Sequence, residues 1–172
     1  MRKLLFNCKD LDASKDICSI SKRFAILLVM MVMVGSKAFA LFNYEVINGL
    51  NYSLDESTKT ATLEANGEKG YSGNIVVPKS VKAKDGNVYT IIAFGSDCFK
   101  KCTSLTSITI PSSVTSLGDN CFSDCTSLTS ITIPSSVTSL GDNCFSDCTS
   151  LTSITIPSSV TSIVRGCFSD CI

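Results

Sequence analysis

From Leu105 onward the apolar residues follow a period of 23, longer than any helical or strand repeat. Leu105, Ile108, Ile110, Val114, Leu117, Cys121, Phe122 and Cys125 are matched by Leu128, Ile131, Ile133, Val137, Leu140, Cys144, Phe145 and Cys148. Within one period, L-x-x-I-x-I predicts a short strand with Ile108 and Ile110 on one face. Pro111 ends that strand, because it has no N–H to give the ladder. Val114 and Leu117 then point inward. Gly118-Asp119-Asn120 predicts a turn, with Asn120 or Asp119 placed to cap a short helical turn over Cys121–Cys125. Phe122 fills the middle of the coil.

The blocks are nearly identical. Cys98–Asn120, Cys121–Asn143 and Cys144–Gly166 share the core TSLTSITIPSSVTS, and a fourth copy begins at Cys167 and runs to Ile172. A fixed period of 20 to 29 residues signals stacked coils, each too small to bury its own apolar side. Stacking at the ordinary strand spacing of about 4.8 Å sets like residues over like. Ile108, Ile131 and Ile154 form one such column, and Phe99, Phe122, Phe145 and Phe168 form another. The fold class expected is a mainly β solenoid with one short strand per 23-residue coil, a helical turn at C-F-x-x-C and an N-terminal β-meander cap.

Upstream, residues 41–72 alternate apolar and polar positions between turn signals. Asn48-Gly49 favours a tight hairpin turn, since both residues tolerate positive φ. Thr60–Leu63 is a further strand, and Asn66-Gly67 ends it. Gly73–Val81 repeats the ITIPSSV pattern in degenerate form. Ten extra residues follow it, and Asp85-Gly86 among them suggests a protruding hairpin. The organisation expected is therefore a cap at 41–72 and a solenoid at 73–172, the latter divided into a degenerate coil 73–97, repeats 98–120, 121–143 and 144–166, and a partial repeat 167–172. The cap is needed because a first coil otherwise exposes an apolar face and unpaired strand edges.

Residues 1–40 have a different character. Lys22-Arg23 precede the apolar run Phe24–Val34, Gly35 breaks it, and Ala38-Phe39-Ala40 supplies a small-residue cleavage pattern. This predicts a secretory signal peptide at 1–40 and a mature chain beginning near Leu41. Eleven apolar residues fall short of the roughly 20 that span a bilayer, so no membrane span is expected in the mature chain.

The chain has no His and no Trp, and its 15 basic and 15 acidic residues balance. Without His, the commonest general base and metal ligand are absent. Residues 1–40 hold seven of the basic and three of the acidic residues, which leaves the remainder at net −4. That acidity argues against a nucleic-acid partner. No Ser has a His partner for a hydrolase triad. No enzyme activity and no cofactor are expected.

Eight cysteines form four C-x-x-x-C pairs: Cys98 and Cys102, Cys121 and Cys125, Cys144 and Cys148, Cys167 and Cys171. Three readings compete. They are a structural ladder of buried thiols packing as small hydrophobes, or disulfides in an exported chain, or zinc ligands. Residues four apart in a helical turn lie near the upper limit for a bridge, and in-register coils hold Cβ vectors parallel, so either bridge is strained. Zinc sites prefer C-x-x-C or admixed His. The buried ladder is the reading adopted here. Asp119, Asn120 and Asp124, repeated at 142, 143 and 147, match no calcium loop. Asn51-Tyr52-Ser53 is a glycosylation sequon, meaningful in a eukaryotic source.

The run T-S-L-T-S-I-T-I-P-S-S-V-T-S-L-G-D-N-C-F-S-D-C resembles the BspA-like leucine-rich repeat, whose usual form ends Ala-Phe-x-x-Cys. The resemblance covers Gly73 to Cys171, and residues 42–72 look like the leader found before such repeats. Here Cys98, Cys121, Cys144 and Cys167 stand where Ala is usual. The resemblance implies a secreted or surface-displayed protein with a role in adhesion. Outward strand positions Thr106, Ser107, Thr109, Thr129, Ser130, Thr132, Thr152, Ser153 and Thr155 form the expected ligand face, for a protein or glycan on a host or neighbouring-cell surface. The alternative is a structural element that self-associates through its last coil.

Overall fold

A computed structural model describes residues 42–67 and 70–171. The predicted signal peptide lies outside these residues. Eleven strands follow one another: β1 Phe42–Ile47, β2 Leu50–Asp55, β3 Thr60–Glu64, β4 Gly73–Val76, β5 Ser80–Lys82, β6 Val88–Phe94, β7 Leu105–Thr109, β8 Ser116–Leu117, β9 Ser130–Thr132, β10 Ser139–Leu140 and β11 Ser153–Thr155.

The first three strands are an antiparallel meander. Asn48 and Gly49 turn β1 into β2 with φ of 52° and 80°, values that Asn and Gly tolerate and a β-branched residue does not. β5 and β6 form the hairpin around Asp85-Gly86, in antiparallel register Val81↔Tyr89. Tyr89 donates its hydroxyl hydrogen to Asp85 Oδ2 at 2.6 Å, which ties the hairpin tip to its base. β3 then pairs in parallel with β6, so the meander joins the solenoid through continuous backbone hydrogen bonds.

Two sheets run through the coils. One has the order β1-β2-β3-β6-β8-β10, with β5 also on β6; the other has the order β11-β9-β7-β4. The second is parallel throughout and holds the predicted column, with Ile75 paired to Ile108 and Ile154 to Ile131. The mainly β leucine-rich-repeat solenoid is as the repeat predicts. One detail differs: each coil carries a second ladder, because Ser116-Leu117 pairs in parallel with Ala93-Phe94 below and with Ser139-Leu140 above.

The C-F-x-x-C segment differs as well. It is a run of overlapping turns, with Cys121 N–H donating to Gly118 O, Ser123 N–H to Asn120 O and Cys125 N–H to Phe122 O. Every alternate N–H instead reaches the next coil: Asn120 to Asp142 O, Phe122 to Cys144 O and Asp124 to Ser146 O, at 2.7 to 2.9 Å. A helix turns all its donors along its own axis, so this alternation forbids one. Asn120 and Asp124 take the left-handed conformation, at φ 51° and 61°, that lets the chain alternate. The expected helix cap is therefore replaced by contacts between coils. Asn120 donates its amide hydrogen to Asp97 Oδ1, and Asp119 Oδ1 accepts from Asp142 N–H.

The core is a set of columns. Phe99, Phe122, Phe145 and Phe168 stack with centroids 5.0, 5.2 and 5.4 Å apart and planes parallel within 3°. Tyr71 and Phe94 close this column on the cap side, tilted against Phe99 at 5.0 and 5.7 Å. Val114, Leu117, Leu128, Val137 and Leu140 are buried around it. The second Ser of each P-S-S-V turn locks a coil to the one before: Ser136 donates to Val114 O and Ser159 to Val137 O, both at 2.6 Å. At Gly118 and Gly141 the backbones pass so close that an added Cβ would lie 2.4 to 2.9 Å from the preceding coil, so only glycine fits.

Candidate binding face

Alternation in the four-stranded sheet sends Ile75, Ile108, Ile131 and Ile154 inward and leaves two rows outward. The register places Asn74 beside Ser107 and Val76 beside Thr109, Thr109 beside Thr132, and Ser130 and Thr132 beside Ser153 and Thr155. One row is thus Asn74, Ser107, Ser130, Ser153; the other is Val76, Thr109, Thr132, Thr155. All eight side chains are exposed and none carries charge. Thr106 is the second residue of β7, and Thr129 and Thr152 immediately precede β9 and β11; all three are exposed, and in β7 Thr106 and Ser107 are exposed in succession. A shallow groove of about 340 Å³ runs between the rows, lined by Ser107, Ile108, Thr109, Ile110, Ser130, Ile131, Thr132 and Pro134.

Six of the nine residues singled out from the sequence thus lie in the two rows, Thr106, Thr129 and Thr152 are exposed beside them, and the structure separates the nine by what they already bond. Thr106 and Ser107 both donate to Asn74 Oδ1, at 2.7 and 2.9 Å. Thr152 donates to Thr129 O at 3.2 Å. The hydroxyls of Thr109, Thr129, Ser130, Thr132, Ser153 and Thr155 make no hydrogen bond among the described residues, so they are available to a ligand. Asn74 and Val76 were not foreseen. Gly73–Val76 belongs to the degenerate coil, and only the register shows that it completes both rows. Asn51 of the sequon donates its amide hydrogen to Ala65 O at 2.9 Å, so its side chain has a structural partner.

The cysteines lie behind this face in two columns. The outer column is Cys102, Cys125, Cys148 and Cys171. Cys125 donates its thiol hydrogen to Phe99 O, Cys148 to Phe122 O and Cys171 to Phe145 O, at 3.0 to 3.1 Å. Cys102, at the cap, instead accepts from Tyr71 N–H at 3.1 Å. The inner column is Cys98, Cys121, Cys144 and Cys167, all buried. None of these four thiols donates to a carbonyl among the described residues. Burial lifts the pKa of Cys98 and raises that of Cys121 well above the ordinary thiol value. At Cys144 the hydrogen bond to Cys121 is the leading cause and burial the second. Burial pushes Cys148 up to about 12 and Cys167 to about 11. These are protonated thiols at neutral pH, poor nucleophiles and poor metal ligands as they stand.

Residues 79–172 match the profile of the BspA type leucine rich repeat region, in six copies. The chain belongs to this family. No curated protein matches it by sequence. Among solved structures it is similar to a leucine-rich repeat protein from Bacteroides ovatus, at 31% identity and TM-score 0.57, over 66% of this chain and 29% of that one. It is also similar to a leucine rich cell surface protein from Faecalibacterium prausnitzii, at 28% identity and TM-score 0.61, over 80% of this chain and 42% of that one. A leucine-rich repeat protein from Eubacterium ventriosum matches at 29% identity and TM-score 0.53, over 66% of this chain and 27% of that one. The match to this BspA-type chain thus spans less than half the length of each of these relatives.

Proposed function

We propose that this BspA-type chain is an extracellular binding module, non-enzymatic, that adheres to a protein or glycan ligand through the outward face of its four-stranded sheet. The observation that carries the reading is the uncharged double row on that face, where five hydroxyls, those of Thr109, Ser130, Thr132, Ser153 and Thr155, have no partner within the described residues. Unpaired hydroxyls at regular spacing offer hydrogen bonds to a ligand without the cost of breaking internal ones. The face holds no aromatic ring and no Arg, the side chains that usually anchor a compact hot spot. Affinity therefore comes from contact spread over several coils, and this favours an extended protein surface over a single sugar. Two things support an extracellular setting: the predicted signal peptide, and the cell-surface description of the F. prausnitzii relative.

The test compares two triple variants that add the same charge. T109K/T132K/T155K places three lysines in one row of the face. S112K/S135K/S158K places them on exposed turn serines away from it. Binding of labelled protein to intact cells, and to an array of immobilised glycans, is measured for each. The reading expects the face variant to lose at least tenfold in binding and the turn variant to keep it. Equal loss, or none, in both would remove the sheet face from the account.

A further inference from the structure

The two cysteine columns differ in what each sulfur touches. Outer thiols are committed as donors to the carbonyls of Phe99, Phe122 and Phe145. Inner thiols are all buried, and none of them donates to a carbonyl among the described residues. The spacing at this level is fixed by the next residue in the chain. Phe99 N–H donates to Cys121 O, Phe122 to Cys144 O and Phe145 to Cys167 O, at 2.7 to 2.8 Å. The stacked Phe rings repeat at 5.0 to 5.4 Å. Neighbouring inner cysteines are therefore held at coil spacing, within the roughly 4.4–6.8 Å Cα separation that a disulfide requires.

We propose that the inner column is a set of latent crosslinks between coils, in which oxidation joins Cys98 to Cys121 and Cys144 to Cys167 while the outer column stays as thiols. Each bridge forms one S–S bond from two S–H groups. The two electrons and the two protons end on a small-molecule disulfide of the glutathione class, which is released as two thiols by way of a mixed disulfide. In-register coils keep their Cβ vectors parallel, so a bridge distorts the turns that carry it and is readily reduced again. Burial and the scarcity of thiolate make the reaction slow and dependent on local opening of a coil. Oxidation then converts a stack held by packing into stapled pairs of coils, and reduction restores it.

The experiment uses the full chain with Cys8 and Cys18, which lie outside the described residues, replaced by Ser. The protein is incubated with oxidised glutathione and followed by intact mass and thermal melting. The proposal expects a loss of two hydrogens per bridge, four in all, a higher melting temperature, and full reversal by dithiothreitol. C98A/C121A/C144A/C167A, which removes one sulfur at each inner site, should lose none. C125S/C148S, which keeps donors in the outer column, should still lose four. Should the inner variant not fold, trypsin decides on the parent chain. Cleavage at Lys100, Lys101 and Arg165 puts Cys98, the five cysteines from Cys102 to Cys148, and Cys167 with Cys171 on three peptides; the two bridges tie these into one species, and its fragmentation by tandem mass spectrometry must place the links at Cys98–Cys121 and Cys144–Cys167. Bridges that need outer cysteines, disulfide-linked dimers, a stable glutathione adduct, or no mass loss after long incubation near the melting temperature would each overturn the proposal.

Discussion

Phe122 sits between two rings of its own kind, 5.0 Å from Phe99 and 5.2 Å from Phe145, and is fully buried. Removing it empties a column that neither neighbouring coil can close, because backbone hydrogen bonds on both sides fix their separation. Phe122→Ala is expected to cost about 3–5 kcal/mol, read from urea denaturation; a loss under about 1 kcal/mol would mean the coils collapse into the gap. The thiols add a pH dependence whose sign is set by their raised pKa values. Above the ordinary thiol value of 9.0 the unfolded chain releases these protons while the folded chain holds them, up to about 11 at Cys167 and about 12 at Cys148. The unfolded state then binds fewer protons, so stability is fully present below about pH 9 and falls as pH rises through that window. In reducing buffer, melting temperature should drop across it more steeply for the parent chain than for the variant with Ala at 98, 121, 144 and 167. At this scale the sequence was informative about Phe and Ile, whose periodicity dictates burial. It misassigned Asn120, because a capping residue and a left-handed turn residue draw on the same small set of side chains.

A coil is the natural element of this fold, and its boundaries are interchangeable. Deleting residues 121–143 joins Asn120 to Cys144, the same Asn-Cys junction found at both ends of the deleted block. It brings Phe99 over Phe145 and Ile108 over Ile154. The shortened chain is expected to fold, with a lower melting temperature and a smaller urea m-value in proportion to the buried surface lost. A chain without a cooperative transition would show that the coils are not equivalent. The strand at L-x-x-I-x-I was legible because alternation over five or six positions needs no tertiary help to recognise. Ser116-Leu117 was not: a two-residue strand has no period, and it exists only because Ala93-Phe94 and Ser139-Leu140 lie beside it. The turn ladder was hidden for the same reason, since its donors are shared between neighbouring coils.

Across residues 42–171, the meander and the first hairpin end the stack on one side, and the coils extend one continuous surface from it. The acidic residues beyond Cys102 lie at Asp119, Asp124, Asp142, Asp147 and Asp170, all in the turns, which leaves the sheet face uncharged. This separation of charge from the Ser/Thr rows was readable from the repeat, whereas the contribution of Asn74 and Val76 required the register of β4. Each 23-residue repeat adds one Ser and one Thr to the two rows, so the proposed function is distributed along the face and grows with it. Dissociation rate from intact cells, measured for chains carrying one fewer and one more copy of residues 121–143, tests that claim most directly. The account predicts that dissociation slows with each coil added and quickens with the coil removed. A rate that does not change with coil number would contradict it, and would place the binding determinant in one fixed part of the molecule.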